Sequence, residues 1–366
     1  MKTVAVFGST GSIGVQTLNV LRRFPDEYKV VALSAGKNVG LLARQAAEFS
    51  PRYIASEVKA DIDGVTAFTG ADAAVRLARE AEADICVMAI SGLAALAPLS
   101  EQIKRGGRIA LANKEAIVCA GELVLSEAAK RGAEIVPVDS EHSAVFQCLK
   151  GEDGRDVARI ILTASGGPFY SSKEDLSLIT PERAVKHPTW NMGAKISVDS
   201  ATMVNKGLEL IEARRLFGAR DVTYVIHPES IIHSMVQFTD NSTAALMSYP
   251  NMELAIQYAL TYPRRAVNDG VRPFDFTRPL TFFPPDEERF PAPAIARRCM
   301  EEGGTAPAVF SMADEVAVEL FLKKLIRFTD ITGIIEEALC INEIEKVESV
   351  EQLCSLSDSI KRHFGV

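Results

Sequence analysis

The stretch TVAVFGSTGSIG, residues 3–14, decides the fold. Its first five residues have the β-branched and apolar character of a buried strand, and three glycines follow at regular spacing: Gly8, Gly11 and Gly14. Glycines at a strand-to-helix turn let the backbone reach positive φ and approach a pyrophosphate, whose charge the helix amino terminus then meets. The spacing GxxGxxG is a variant of the dinucleotide-binding fingerprint, and its position favours that interpretation over an ordinary tight turn.

Outward from this turn, short β-branched runs alternate with helical stretches as far as Val138. The predicted strands span residues 3–7, 29–35, 85–90, 108–112 and 134–138. The predicted helices span residues 16–23, 40–49, 71–82 and 121–131. Because strands separated by helices form right-handed βαβ units, this region predicts an α/β fold with a doubly wound parallel sheet.

A second strand-rich region begins near residue 159 and is interrupted by long polar stretches. Its predicted strands span residues 159–165, 223–227, 230–238 and 243–249. The last two form an antiparallel hairpin, because turn-forming Asp240 and Asn241 separate them. The proline-rich segment 263–293 predicts a linker, and 294–366 predicts amphipathic helices. The clearest of these helices span residues 312–326 and 350–363.

Composition and charge restrict the function. The chain has 366 residues, 47% of them hydrophobic, and a net charge of −8. These values argue against a disordered chain and against broad attraction to nucleic acid or an anionic membrane, so small-molecule chemistry is favoured. The longest apolar stretch, residues 85–99, is too short and too interrupted to cross a bilayer, and no secretory signal precedes the first strand. The six cysteines include no CxxC pair, which indicates reduced thiols in a cytoplasmic protein.

The end of the second predicted strand indicates which dinucleotide binds. NAD-specific folds place an Asp or Glu there to accept from the ribose 2′-hydroxyl, whereas this chain has Ser34-Ala35-Gly36-Lys37-Asn38. A hydroxyl, an ammonium and an amide suit a 2′-phosphate, so NADPH is favoured over NADH. The alternative is that Lys37 is a solvated loop lysine.

Three carboxylates suggest a metal site. Asp139-Ser140-Glu141 follows a predicted strand, and in an extended segment both carboxylates face the same way. Glu209 shares a face with Asn205 if the segment NKGLE is helical. Carboxylates without cysteine or a histidine pair suit Mg²⁺ or Mn²⁺ better than zinc. The alternative is that Glu209 forms an ion pair with Lys206 on a surface.

Two polar segments hold groups of the kind that bind phosphate. Ser165-Gly166-Gly167 ends a predicted strand with a potential backbone nest, and Ser200, Asn205 and Lys206 offer hydroxyl, amide and ammonium donors. Between them, residues 187–193 contain the chain's one tryptophan among turn-forming residues. A lone tryptophan usually belongs to a core, but in such a loop it also suits a lid that excludes water.

Taken together, these strings resemble one known family. The strings are GSTGSIG, LANKEAIV (111–118), PVDSEHSA (137–144), LTASGGPF (162–169), HPTWNMGAKISVDSATMVNKGLE (187–209) and VIHPESIIHSMVQF (225–238). In this order they resemble the 1-deoxy-D-xylulose 5-phosphate reductoisomerases. The resemblance implies an NADPH-dependent homodimer of the non-mevalonate isoprenoid pathway, which forms 2-C-methyl-D-erythritol 4-phosphate.

The same resemblance implies a domain organisation. Residues 1–138 would form a Rossmann-like NADPH-binding domain, and 139–262 a central α+β catalytic domain with a flap at about 182–194. A linker, 263–293, and a carboxy-terminal helical domain, 294–366, would follow. Because the chain begins at the first strand, without the transit extension of plant and parasite members, a bacterial or mature form is expected.

The resemblance also implies roles for individual residues. The ligands of one Mg²⁺ or Mn²⁺ would be Asp139, Glu141 and Glu209. The phosphate would be bound by Ser165, Ser200, Asn205 and Lys206, and the rest of the substrate by Ser140, Glu141, His187, Trp190 and Glu209. The flap would include His187, Trp190 and Met192. The catalytic groups would be Lys114, Asp139, Glu141, Glu209 and His233. NADPH would contact Thr10, Gly11, Ser12, Ile13, Gly36, Lys37, Asn38, Asn113, Lys114, Glu115, Gly193 and Met252.

Two other functions remain as alternatives. One is an NADPH-dependent hydroxy-acid or semialdehyde dehydrogenase, which would need no metal. The other is a non-catalytic NADPH-sensing or scaffold protein, against which the carboxylate and lid motifs argue.

Overall fold

The computed structural model describes residues 1–60, 62–190 and 192–366, and strands and helices alternate in its amino-terminal part. The strands are β1 (Lys2–Phe7), β2 (Tyr28–Ala35), β3 (Tyr53–Ser56), β4 (Thr66–Thr69), β5 (Ile85–Met88), β6 (Gly107–Leu111), β7 (Ala133–Pro137), β8 (Val157–Ala164), β9 (Val222–Ile226), β10 (Ile232–Phe238) and β11 (Thr243–Met247). The helices are α1 (Ser12–Arg22), α2 (Val39–Phe49), α3 (Ala73–Glu80), α4 (Leu96–Arg105), α5 (Lys114–Arg131), α6 (Ser140–Cys148), α7 (Pro181–Ala184), α8 (Ala194–Thr202), α9 (Val204–Phe217), α10 (Met252–Thr261), α11 (Ala292–Glu302), α12 (Ala306–Leu322), α13 (Asp330–Ile341) and α14 (Val350–Phe364).

One compact unit comprises Met1–Ala116, Val124–Ser143 and Asn251–Val271. Its sheet has the strand order β4-β3-β2-β1-β5-β6-β7, and every neighbouring pair is parallel. Val4 to Phe7 of β1 are completely buried, because helices cover both faces of a parallel sheet. The strand order reverses between β1 and β5, which is the point where such sheets bind ligands. The predicted α/β class is confirmed.

Three features of this unit differ from the prediction. Strands β3 and β4 were not predicted, because each has four residues and lacks a clear periodicity. Helix α5 begins at Lys114 rather than at Gly121. Helices α4 and α10 were not predicted; α10 packs on α1, and Glu253 of α10 forms a 2.9 Å ion pair with Arg23, the residue after α1.

The second compact unit comprises Ile117–Leu123, Ala144–Pro250 and Arg272–Val366. Its sheet has the order β11-β10-β8-β9; β10 is antiparallel to β8 and β11, and β8 is parallel to β9. The predicted hairpin is therefore confirmed as β10–β11. Helices α11 to α14 follow, and α12 is buried along most of its length. Between α10 and α11, residues 262–291 contain no helix or strand of their own, apart from one bridge between Ile226 and Phe283.

These units are defined by packing, and a packing unit is not the same as a functional domain. The boundaries at residues 138, 262 and 293 therefore stay predictions. Among the residues that the structure describes, no helix is both long and apolar enough to cross a membrane.

Candidate functional site

The glycine turn after β1 is shaped by close backbone packing. Gly8 has a φ of +81°, and a Cβ at that position would lie 2.5 Å from the Ala89 carbonyl oxygen. A Cβ on Gly14 would lie 2.2 Å from the Gly8 carbonyl oxygen. Gly11 is the N-cap of α1 and has no side chain to cover the first N–H groups of the helix. Thr10, Gly11, Ser12 and Ile13 thus lie at a helix amino terminus, where anions bind favourably.

The loop after β2 is placed beside this turn because β1 and β2 are neighbours in the sheet. The Gly8 N–H donates to Ser34 Oγ at 2.9 Å, so the Ser34 hydroxyl supports the turn instead of facing a ligand. Gly36, Lys37 and Asn38 are exposed, and Asn38 Oδ1 caps α2 by accepting from the Leu41 N–H.

A carboxylate lies near this loop, although the loop itself contains none. Glu57 follows β3, its N–H donates to the Gly36 carbonyl oxygen, and its Oε1 lies 3.4 Å from where a Gly36 Cβ would stand. Sequence analysis missed this neighbour because it missed β3.

Asn113 and Lys114 begin helix α5. Asn113 is buried; its Oδ1 accepts from the Ala116 N–H at 2.6 Å, and its Nδ2 donates to the carbonyl oxygens of Ile90 and Gly92. Asn113 thereby fixes the loop after β5, and Glu115 lies beside it in the first turn of α5. Lys114 is also buried and forms a 2.7 Å ion pair with Asp139.

The segment Asp139-Ser140-Glu141 is not extended, so the expectation that its carboxylates face one way through a strand geometry was wrong. Helix α6 begins at Ser140, and the Ser143 N–H donates to the Asp139 carbonyl oxygen at 2.7 Å. Ser140 Oγ donates to Glu141. Burial alone would raise the pKa of Asp139, but the Lys114 ammonium and the nearby His142 ring, whose Nδ1 lies 3.8 Å from Asp139 Oδ2, hold it well below its usual range. Asp139 is therefore ionised at neutral pH.

In the second unit, Asn205, Lys206 and Glu209 share one face of α9. Asn205 Nδ2 donates to Glu209, and Lys206 forms an ion pair with the same carboxylate. The predicted helical pairing is confirmed, but the surface alternative was wrong because the Lys206 and Glu209 side chains are only 4% and 1% exposed. Lys206 Nζ also donates to the Thr163 carbonyl oxygen at 2.6 Å, which places α9 against the end of β8.

Ser165 lies two residues beyond Thr163 and contacts His187. His187 Nδ1 accepts from the N–H groups of Thr189 and Trp190, so its proton is on Nε2 and points to Ser165 Oγ at 2.9 Å. Burial lowers the pKa of His187 to about 4, which keeps the ring neutral. Ser165 Oγ also accepts from the Gly167 N–H, so its own hydroxyl proton remains available to a ligand.

Ser200 is brought close to the same loop by Gly167. Gly166 and Gly167 have φ values of +84° and +67°, and a Cβ on Gly167 would lie 2.7 Å from the Ser200 carbonyl oxygen. The loop after β8 therefore packs directly on α8. The predicted phosphate-binding residues of this unit lie on three adjoining elements.

His233 and Trp190 are also neighbours in this unit, with ring centroids 6.4 Å apart. Ser248 Oγ donates to the Tyr249 carbonyl oxygen and lies 2.8 Å from His233 Nε2, so this nitrogen is the donor between the two side chains. Burial lowers the pKa of His233 to about 4. Neutral His233 thus retains Nδ1 as an acceptor. Met192 and Gly193 end the predicted flap, and Asn191 lies outside the described residues.

Sequence analysis missed Ser230. This residue is buried with a φ of +51°, and its hydroxyl has no hydrogen-bond partner among the described residues. A strained backbone with an unsatisfied buried hydroxyl is typical of a functional position. The available signal was the turn motif His-Pro-Glu-Ser, which comes just before a strand.

Met252 belongs to the first unit, where it begins α10.

Comparisons with known proteins cover almost the whole chain. Residues 4–121 match the family model described as 1-deoxy-D-xylulose 5-phosphate reductoisomerase, residues 135–217 match its C-terminal domain model, and residues 247–363 match the model described as DXP reductoisomerase C-terminal domain. A 1-deoxy-D-xylulose 5-phosphate reductoisomerase of Anaeromyxobacter dehalogenans is 47% identical over 99% of this chain and 96% of the relative. One of Clostridium perfringens is 43% identical over 99% of this chain and 98% of the relative.

Solved structures agree with these sequence relatives. The Zymomonas mobilis reductoisomerase in complex with NADPH superimposes with a TM-score of 0.92 at 40% identity, covering 99% of this chain and 98% of the other. A DOX-P reductoisomerase in complex with NADPH, fosmidomycin and magnesium gives a TM-score of 0.93 at 35% identity, covering 100% and 98%. The resemblance deduced from the motifs is confirmed: the chain belongs to the 1-deoxy-D-xylulose 5-phosphate reductoisomerase family.

Proposed function

We propose that this protein rearranges and reduces 1-deoxy-D-xylulose 5-phosphate to 2-C-methyl-D-erythritol 4-phosphate, with NADPH and a divalent cation. The observation that carries the proposal is 47% identity to a reductoisomerase over 99% of the chain, which includes the residues of both units. A metal-free dehydrogenase is not favoured, because the similarity extends through the carboxylate motifs of both units rather than through the dinucleotide-binding fold alone.

For NADPH, the first unit supplies all the assigned binding groups except Gly193. The glycine turn and the open amino terminus of α1 suit the pyrophosphate, and exposed Lys37 and Asn38 suit the 2′-phosphate. The family motifs assign Lys114 and Met252 to the nicotinamide, and they assign Gly193 of the second unit to NADPH as well. NADPH, when bound, supplies the hydride.

For the metal, the motifs assign three carboxylates: Asp139, Glu141 and Glu209. The donor set fits Mg²⁺ or Mn²⁺, since all three groups offer hard oxygen ligands and Asp139 is held ionised by Lys114. The ion, when bound, acts as a Lewis acid toward the oxygens of the substrate.

For the substrate phosphate, we assign Ser165, Ser200, Asn205 and Lys206. Ser165 is suited to donate because His187 and Gly167 already occupy its acceptor positions. Lys206 brings a buried ammonium that is close to Thr163 and Glu209. A phosphate held by charge-assisted hydrogen bonds in a buried site supplies binding energy that orients the reacting carbons.

His233 is assigned to proton handling near the site. Its neutral ring keeps Nδ1 as an acceptor, while Nε2 is fixed by Ser248. Trp190, which lies against His233, is assigned to the flap that excludes water.

We also infer a homodimer in the cytoplasm. Strand β11 lies at the edge of its sheet and is partly exposed, and an edge strand offers backbone groups for pairing. The net charge of −8 argues against a nucleic acid as the partner. Light scattering of the purified protein tests the dimer.

The reaction is tested by following NADPH absorbance with 1-deoxy-D-xylulose 5-phosphate and Mg²⁺, and then with excess chelator. We expect consumption that stops on chelation. The matched control substrate is 1-deoxy-D-xylulose, which lacks the phosphate and should react far more slowly. No consumption by protein that binds NADPH would refute the reaction, and consumption that continues after chelation would favour a metal-free dehydrogenase.

A further inference from the structure

A group of three charged residues, two of them buried, connects α8 with α12, and none of the three has been assigned a role above. Lys195 Nζ lies 2.6 Å from Asp199 Oδ2, one helical turn along α8, and 2.6 Å from Asp314 Oδ2 on α12. The Asp199 and Asp314 side chains are 3% and 0% exposed, whereas Lys195 is 33% exposed. One lysine therefore bridges two buried carboxylates on different helices.

Asp314 and Lys195 each occupy a position that is unfavourable for an isolated charge. Asp314 lies in the middle of α12 among apolar residues, where an ionised carboxylate is costly to bury unless it is paired. Lys195 lies in the first turn of α8, where the helix dipole disfavours a cation. Both positions become reasonable once the two side chains form an ion pair, since each offsets the cost of the other.

Helix α8 carries a substrate candidate at the residue after Asp199. Ser200 is in direct contact with the glycine loop of Ser165, because Gly167 approaches the Ser200 carbonyl oxygen too closely for any side chain. The other end of α8 continues through Met203, in a left-handed conformation, into α9 with Asn205 and Lys206. A shift of α8 would therefore displace phosphate donors on two helices.

We propose that Asp314 is a positioning residue: through Lys195 it holds α8 so that Ser200 and the start of α9 meet the substrate phosphate. The inference rests on the proposed function, because it assigns the effect to the binding of a phosphorylated substrate. Asp314 is fully buried within α12 and is not among the residues assigned to substrate or cofactor. Its effect is expected on substrate binding and on the segment that enters α8 at Gly193, and not on NADPH binding by the first unit.

The test compares Asp314→Asn with Glu319→Gln. Both replace a carboxylate of α12 by an amide of the same shape, but Glu319 is 45% exposed and pairs with Lys323, one turn along the helix. For Asp314→Asn we expect the KM for 1-deoxy-D-xylulose 5-phosphate to rise about tenfold, because a small misplacement of binding groups is costly. The KM for NADPH should rise much less, because Gly193 is the one assigned NADPH contact that adjoins α8. Glu319→Gln should leave both constants unchanged.

A second readout does not depend on turnover. Trp190 is the only tryptophan of the chain and lies three residues before Gly193, so its emission spectrum reports on the segment that enters α8. We expect a shifted emission maximum in Asp314→Asn and none in Glu319→Gln. Should Asp314→Asn fail to fold, Lys195→Gln changes the same bridge from its more exposed end and is judged by the same criteria.

The outcomes separate this inference from the proposed function. An inactive wild type refutes the proposed function, while the Trp190 spectra still test the position of α8. An active wild type with a variant of lower melting temperature but unchanged KM and emission makes Asp314 merely structural and overturns the inference. An equal rise in the KM for NADPH also overturns it.

Discussion

Replacing Gly14 by alanine tests whether close backbone packing at the glycine turn is needed for cofactor binding. The added Cβ would lie 2.2 Å from the Gly8 carbonyl oxygen and 2.5 Å from Ser9 Cα. Ordinary contacts of this kind begin at 3.4 Å. Because both neighbours are backbone atoms, no side chain can rotate away, and the turn must move by about 1 Å to reach normal contact distances.

The magnitude follows from this displacement. Overpacking of this kind lowers the free energy of unfolding by about 1–3 kcal/mol. A turn displaced by about 1 Å also withdraws N–H groups from the pyrophosphate, and losing one good hydrogen bond, about 1.4 kcal/mol, weakens NADPH binding about tenfold. We therefore expect a less stable protein with at least about tenfold weaker affinity for NADPH.

The assays are urea denaturation and titration of NADPH by its fluorescence. The matched control is Gly333→Ala, which adds the same methyl group within helix α13, where no atom lies within 4 Å of the new Cβ. We expect that variant to gain about 0.5–1 kcal/mol from the better helix propensity of alanine and to bind NADPH normally. If Gly14→Ala unfolds at the same urea concentration as the wild type and binds NADPH with the same affinity, the packing argument for the turn is refuted.

Three further predictions concern the second unit. Glu209→Gln should abolish turnover, because it removes a proposed metal ligand, but leave NADPH affinity unchanged; lost NADPH binding in a folded variant would contradict this role. Burial lowers the pKa of His233 to about 4 from 6.5, so the unfolded chain takes up the proton first as pH falls. The contribution of His233 to the free energy of unfolding should be fully present above pH 6.5 and fall by about 3 kcal/mol toward pH 4. Urea denaturation across this pH range should show a weaker pH dependence for His233→Gln than for the wild type. Arg215→Met should lower the free energy of unfolding by about 2 kcal/mol in the same assay, because Arg215 Nη1 donates to the carbonyl oxygens of Ile117 and Val118; an unchanged midpoint would show that these bonds contribute nothing.

The features that sequence analysis predicted correctly are local ones. The strand, the glycine turn and the start of α1 are contiguous in sequence. At Gly8 and Gly14 only glycine fits without strain, so the residue type itself indicates the tight turn. The pairing of Asn205 with Glu209 needs only helical periodicity. Family motifs are contiguous too, so they identified the reductoisomerase family without any knowledge of packing.

The features that it missed depend on distant neighbours. The sequence pattern predicts a helix only from Gly121, whereas α5 begins at Lys114 and bends at Ala120, where φ is −127°. At this bend the Arg215 side chain passes within 2.7 Å of where a Gly121 Cβ would stand, and its Nη1 donates to the carbonyl oxygens of Ile117 and Val118. The sequence near residue 121 does not indicate a contact with an arginine almost a hundred residues later.

Burial was missed for the same reason. The spacing of Lys206 and Glu209, i and i+3, is typical of an ion pair on a helix surface. In the structure both side chains are buried, and Lys206 Nζ donates to the Thr163 carbonyl oxygen at the end of β8. Asp139 and Glu141 were expected in an extended segment, since a strand ends at Pro137. The Ser143 N–H to Asp139 carbonyl bond turns that segment into a helix immediately afterwards.

The return of α10 to the first unit has a consequence for biosynthesis. The parts of that unit that precede residue 144 are synthesised in sequence, but α10 arrives only after residues 144–250. Until then α1 lacks its contact with α10. Arg23 lacks its ion-pair partner Glu253, and the Tyr28 hydroxyl lacks its acceptor, the Leu260 carbonyl oxygen. At ribosomal rates of about 5–20 residues per second, this interval lasts roughly 5–20 seconds. The first unit of the nascent chain therefore stays incomplete until α10, which follows residues 144–250, has been synthesised.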